Sequence, residues 1–187
     1  YDPRQGKVVC PGDLLEQTKV AYEKLGVVLE AAGLGFHNVV QTVDYVDPVA
    51  LPQYRQTAEV RRQYLGNTPV ASTGICVERL LRSDALIEIS AVAMTGQKRV
   101  INPGWERYQQ LTYVPAVEAG DIVWLSGFIG YDEVYGKRHY PQQTSRQVGL
   151  TYQTIGQVLR AAGAQPGDIV RSLDYIAPQA QLQYRDT

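Results

Sequence analysis

The sequence predicts an α/β fold of the α+β kind, in which two tandem units pack helices on one face of mixed sheets. Three observations carry that expectation: a repeat at a spacing of 130 residues, a helix-period apolar pattern in each copy, and a β-branched run after each helix. The repeat is weighed first, because self-similarity fixes the architecture before any local reading. Shifted by 130, residues 1–57 fall on 131–187 without a gap, with 22 identities in 57 positions. Tyr1-Asp2 meets Tyr131-Asp132, Gln17 meets Gln147, Ala31-Ala32-Gly33 meets Ala161-Ala162-Gly163, and Asp44-Tyr45 meets Asp174-Tyr175. The period divides the chain into a first unit, 1–100, and a second, 101–187. The first lacks the counterpart of 107–130 and the second the counterpart of 58–96. The chain starts at Tyr1 rather than Met. The expectation is therefore a longer protein that was processed or had its ends omitted, with each unit completed by a partner or by cleaved fragments of the same precursor.

Each element has its own warrant. Over 14–32, Leu14, Thr18, Ala21, Leu25, Val28, Leu29 and Ala32 recur at three- and four-residue spacing, which predicts an amphipathic helix. Asp13 can cap it, with Glu16 placed as in a capping box, and Gly33 suits the left-handed position after its end. The second copy spans about 143–162 and ends at Gly163. Val39–Val46 and Ile169–Ile176 read as the strands that follow, stopped by Asp47-Pro48 and Ala177-Pro178. A second helix is predicted over 52–65, then strands over 73–79 and 85–94, the latter with Ala85, Ile87, Ile89, Ala91 and Ala93 on one face. Strands over 111–117 and 122–128 flank a turn at 118–121, a hairpin pattern.

Composition narrows the function. A net charge of -1 gives no field favouring nucleic acid or an anionic membrane surface. No apolar run reaches the roughly 18 residues of a membrane-spanning helix. Cys10 and Cys76 have no metal-ligand or redox spacing, and His37 and His139 are the only histidines. No metal or cofactor is expected, and the thiols read as reduced ones in a cytoplasmic protein.

Four motifs in order carry a resemblance: Leu125-Ser126-Gly127-Phe128, the Val-Leu-x-Ala-Ala-Gly helix end in both copies, Asp44-Tyr45-Val46, and the run from Leu86 to Ala93. With them the sequence resembles the reactive-intermediate deaminase (RidA, or YjgF-type) family along nearly its whole length. The resemblance implies a RidA-like, chorismate mutase-like fold, trimer-like rings and clefts between neighbouring subunits. It also implies hydrolysis of small enamines and imines without a cofactor. Carried over residue by residue, it implies catalytic roles for Glu88, Tyr113 and Ser126, and substrate contacts from Ser72, Thr73 and Gly127. The family's carboxylate-binding arginine has no match in Pro69-Val70-Ala71-Ser72-Thr73-Gly74; Ser72 or its neighbour stands there. Serine offers one neutral donor where arginine offers a bidentate cation. The expected substrate thus lacks that carboxylate, or the site is inactive.

Imine hydrolysis needs a water, a proton acceptor for it and a proton donor to the leaving nitrogen. Glu88 is the candidate acceptor, Tyr113 a hydrogen-bond donor or cleft closure, and the backbone at Ser126-Gly127 a contact for a substrate oxygen. The alternative is a non-catalytic ligand-binding or scaffold protein. A ribonuclease is a third reading, disfavoured by the absence of a basic stripe.

Overall fold

The structure, a computed structural model, describes residues 1–185. Contacts divide it into two compact units: Tyr1–Val100 with Trp105–Ser126, and Ile101–Gly104 with Gly127 onward. Compactness and the repeat period thus cut the chain at different points, because 105–126 packs with the first unit.

In the first unit α1 spans Leu14–Ala31. The Asp13 carboxylate accepts the amides of Leu15 and Glu16, so the predicted cap forms. Its reciprocal half does not: the Asp13 amide goes to the Cys10 carbonyl, and Glu16 pairs with Lys19 instead. Gly33, at φ 69°, closes the helix. The Leu34 amide reaches the Leu29 carbonyl at 2.8 Å and the Gly33 amide that of Glu30 at 2.9 Å, the paired bonds of a Schellman end.

β1 (Val39–Val46) lies at the centre of a three-stranded sheet, parallel to β2 (Ala71–Cys76) and antiparallel to β3 (Ile87–Ala93). A register irregularity between Val39 and Gln41 shifts the alternation by one residue. Val39, Thr42, Asp44 and Val46 can therefore share the face covered by α1 and α2 (Thr57–Leu65). Tyr22, Leu29, Val60, Leu65 and Val70 join Val39 in that core, each large side chain contributing about 1.5–3 kcal/mol by burial. A second sheet, β4 (Lys98–Ile101), β5 (Ala116–Ala119) and β6 (Ile122–Leu125), meets the other side, where Val40 packs on Val117 and Ala119.

Boundaries differ from the sequence reading where tertiary partners decide. β2 starts at Ala71 because that residue pairs with Gln41 and bridges Val114. The hairpin's first strand starts at Ala116, not 111, and β4 falls where no strand was expected. The helix expected from 52 begins at Thr57; a 3-10 segment over Pro48–Gln56, carrying Pro48 and Pro52, precedes it.

In the second unit β7 (Asp132–Val134) and β8 (Lys137–His139) form a hairpin whose turn residues Tyr135 and Gly136 both have positive φ. Its counterpart in the first unit is reduced to a bridge between Asp2 and Lys7. α3 (Thr144–Ala162) ends as α1 does, with Gly163 at φ 81° and the Ala164 amide on the Leu159 carbonyl. The strand expected over 169–176 is not one. Its homologue β1 is held from both sides by ladder partners, and the described residues of this unit contain no equivalents of β2 and β3. Val170 is 90% exposed there. A short helix α4 (Gln181–Tyr184) follows.

Candidate functional site

β3 is an outer strand of its sheet, and its free edge borders a groove of about 280 Å³. Val20, Ala21, Leu25 and Val28 of α1 line one wall, and Ile87 and Glu88 of β3 the other. Ala21, Leu25 and Val28 belong to the apolar stripe predicted for α1, yet Val28 is 67% exposed. The sequence stripe is thus wider than the face that Tyr22 and Leu29 bury in the core.

Glu88 is exposed and pairs across the strands with Tyr45. Its place is set by Gln17, a residue the sequence reading did not select. The Gln17 side-chain amide donates to the Asp84 carbonyl at 2.9 Å and to that of Cys10 at 3.2 Å; its oxygen accepts the Leu86 amide at 2.8 Å. Two of these three bonds tie α1 to the segment that enters β3 two residues before Glu88. The signal was present in the repeat, since Gln17 and Gln147 are identical and Gln147 likewise holds a loop carbonyl, that of Pro141 at 2.7 Å.

Ser126 does something other than expected. Buried, its hydroxyl donates to the Val114 carbonyl at 2.6 Å and accepts the Ser72 amide at 2.8 Å. One hydroxyl thereby fastens the β5–β6 hairpin to β2, and the Gln41 side chain adds a bond to the Leu125 carbonyl at 2.9 Å. Ser72 is buried on the helix side, where its hydroxyl accepts from Thr42 at 3.1 Å. Thr73 falls on the opposite face, beside Val43 in register. Tyr113 packs edge-on against Tyr108, centroids 5.7 Å apart, and Arg107 lies over the Tyr108 ring at 4.7 Å. Gly127 is exposed and belongs to the second unit.

Ser72 sits opposite Thr42 and Glu88 opposite Tyr45, with β1 between them. Two strand spacings and three residues put their Cα atoms roughly 14 Å apart. Ser126 is bound to the Ser72 side, so within the first unit Glu88 and Ser126 lie at opposite edges of one sheet. Ser126 and Ser72 are brought together, but as a clamp.

A buried polar cluster extends from that clamp. Arg61 of α2 donates to Thr42 at 3.0 Å and lies 3.4 Å from Asp44, whose carboxylate also accepts the Tyr54 hydroxyl at 2.8 Å. Burial pushes the Asp44 carboxyl upward, against the opposing pull of Arg61 and Tyr54. In the second unit Tyr184 donates to Asp174 at 2.6 Å, the same pair 130 residues on. In both copies the tyrosine of the recurrent Tyr-Arg dipeptide thus holds the aspartate of the preceding Asp-Tyr. Among the described residues no group of His, Cys, Asp and Glu is placed to hold a metal ion. No described helix is long and apolar enough to cross a membrane.

The family model for Endoribonuclease L-PSP matches the chain twice, over residues 1–95 and 107–183. The chain belongs to this family. Two matched segments fit the tandem arrangement read from the 130-residue period. A RutC family protein of Pyrococcus horikoshii is 34% identical over 92 residues, covering 49% of this chain and 70% of the relative. The 2-iminobutanoate/2-iminopropanoate deaminase of Mus musculus is 33% identical over 95 residues, 51% of this chain and 67% of the relative. The solved structure of the YjgF gene product from E. coli aligns with a TM-score of 0.41 and 29% identity, over 49% of this chain and 71% of that one. Membership in the L-PSP family thus extends to relatives named as imine deaminases, at the level of the family.

Proposed function

We propose that this chain takes part in the hydrolysis of a small, uncharged imine, enamine or related carbonyl compound, with Glu88 as the base. The observation that carries this is an exposed carboxylate on the lip of an apolar groove, in a family whose members include proteins named as 2-imino acid deaminases. In the reaction Glu88 accepts one proton as water adds to the C=N carbon and returns it to nitrogen, giving a carbinolamine; it then passes the carbinolamine hydroxyl proton to nitrogen as ammonia leaves and the carbonyl forms. Tyr113 and Thr73 serve as contacts supplied by a neighbouring copy. The missing arginine argues for a substrate without a carboxylate, because Ser72 is turned to Thr42 and cannot replace a bidentate cation.

The second reading, a ligand-binding or scaffold protein, draws support from Ser126, whose hydroxyl is fully committed between Val114 and Ser72. One experiment separates the two. Imines are generated in place by an amine oxidase or an amino-acid oxidase, and ammonia release is followed with the wild type and with Glu88→Gln. Catalysis predicts faster release from neutral imines than from 2-imino acids, and a loss of roughly 100-fold in the variant. Equal release with and without protein, for both imine classes, would leave only the binding role.

A further inference from the structure

We infer that Lys98 is a nucleophilic amine that condenses with small aldehydes and ketones to form a Schiff base. This goes beyond the hydrolytic reading and does not depend on it. Lys98 opens β4, and its side chain crosses from there to the first sheet. Its Nζ donates to the Val39 carbonyl at 2.8 Å and to the Pro69 carbonyl at 3.3 Å. Val39 sits at the register irregularity of β1, where the ladder is interrupted, and Pro69 lies two residues before β2. Both partners are neutral backbone oxygens, and Lys98 forms no ion pair with any described carboxylate. Arg99 and Glu118, the charged residues beside it, pair with each other.

The donor count suits the free base. An ammonium group has three N–H bonds to place, and Lys98 meets two acceptors among the described residues. A neutral amine has two N–H bonds, spends one on each carbonyl, and turns its lone pair away from both. Burial without a counterion disfavours the cation and draws the amine down to about 8. The residue is half-buried rather than sealed, and it borders a recess of about 220 Å³ with Gln97, Arg99, Glu118 and Gly120. Molecules of a few carbon atoms can therefore reach it. In the condensation the Nζ lone pair attacks the carbonyl carbon and a C–N bond forms. The carbonyl oxygen takes up a proton while the nitrogen gives one up. The carbinolamine then loses its hydroxyl together with the remaining Nζ proton as water, which leaves a C=N bond. The neutral imine has no N–H, so the Val39 and Pro69 carbonyls lose the donor that joins β4 to the first sheet.

The test is competitive labelling of the whole chain with propanal and cyanoborohydride, which reduces the Schiff base to a stable secondary amine, read by peptide mass mapping. At about pH 7.5 an amine with a pKa of about 8 is uncharged roughly 100-fold more often than an ordinary lysine. Partial burial slows access, so Lys98 should be labelled at least roughly tenfold faster than the exposed Lys7 and Lys137. That excess should shrink as the pH rises above about 8, where Lys98 is already neutral, and it should vanish in urea. Labelling of Lys98 no faster than that of Lys7 and Lys137 would overturn the proposal. So would an excess that persists in urea, which would place its cause in the neighbouring sequence rather than in the fold.

Discussion

Removing Asp44 should cost far more than removing its partner, and the two losses should not add. The side chains of Asp44 and Arg61 are only 2% and 5% exposed. In Asp44→Ala the guanidinium stays buried with the Thr42 hydroxyl as its acceptor, while its Nε and second Nη already lack partners among the described residues. A buried charge stripped of its counterion costs about 3–5 kcal/mol. Loss of the Tyr54 bond adds about 1 kcal/mol. In Arg61→Leu the carboxyl keeps Tyr54 and can take up a proton, a step favoured by its raised pKa, so about 2 kcal/mol is expected. The double variant leaves no buried ion and should fall close to Arg61→Leu alone. The resulting coupling of roughly 4–6 kcal/mol is measurable by urea unfolding of all four proteins. Additive losses, or an Asp44→Ala as stable as the wild type, would refute the view that the cluster is an ion pair held together by burial.

Three further outcomes are expected. Ser126→Ala should destabilise by about 1–3 kcal/mol, because the buried Ser72 amide loses its acceptor; a change within error in urea unfolding would show that the hairpin is held elsewhere. Gly33→Ala and Gly163→Ala should each cost about 1 kcal/mol, since both positions have positive φ and open space around the missing Cβ; unequal costs in thermal unfolding would argue against equivalent helix ends. Lys98 is held by burial at a pKa of about 8, below its unfolded value, so the unfolded chain binds the extra proton between pH 8 and about 10.4. Stability should rise with pH through that window, and Lys98→Met should flatten the slope; an unchanged slope in the variant would assign it to other groups.

The helices and their ends were legible because their determinants are local. Asp13, Gly33 and Gly163 act on backbone within one turn, and the structure forms each feature. Strands were legible only where a ladder partner exists. Val39–Val46 has β2 and β3 and forms as read; Ile169–Ile176 has almost the same pattern and does not. The difference lies outside the segment, in partners distant along the chain, which a periodicity cannot report. β4 escaped notice for the same reason, since Lys98–Ile101 shows no alternation of its own and forms against β5.

The candidate site was legible in residue type but not in role. Spacing and resemblance located Ser72 and Ser126, yet a serine in a sequence does not state whether its hydroxyl faces a cleft or a neighbouring amide. Here the Ser126 hydroxyl is spent on the Ser72 amide of β2 and the Ser72 hydroxyl on that of Thr42 in β1. Conversely, the sequence assigned Gln17 no role, and its bonds to the Asp84 and Leu86 backbone appear only once α1 lies against the entry to β3. Its identity with Gln147 across the repeat was the better guide. A polar side chain kept in both copies while its neighbours diverge is one whose partners are backbone atoms, and backbone atoms survive any change of side chain around them.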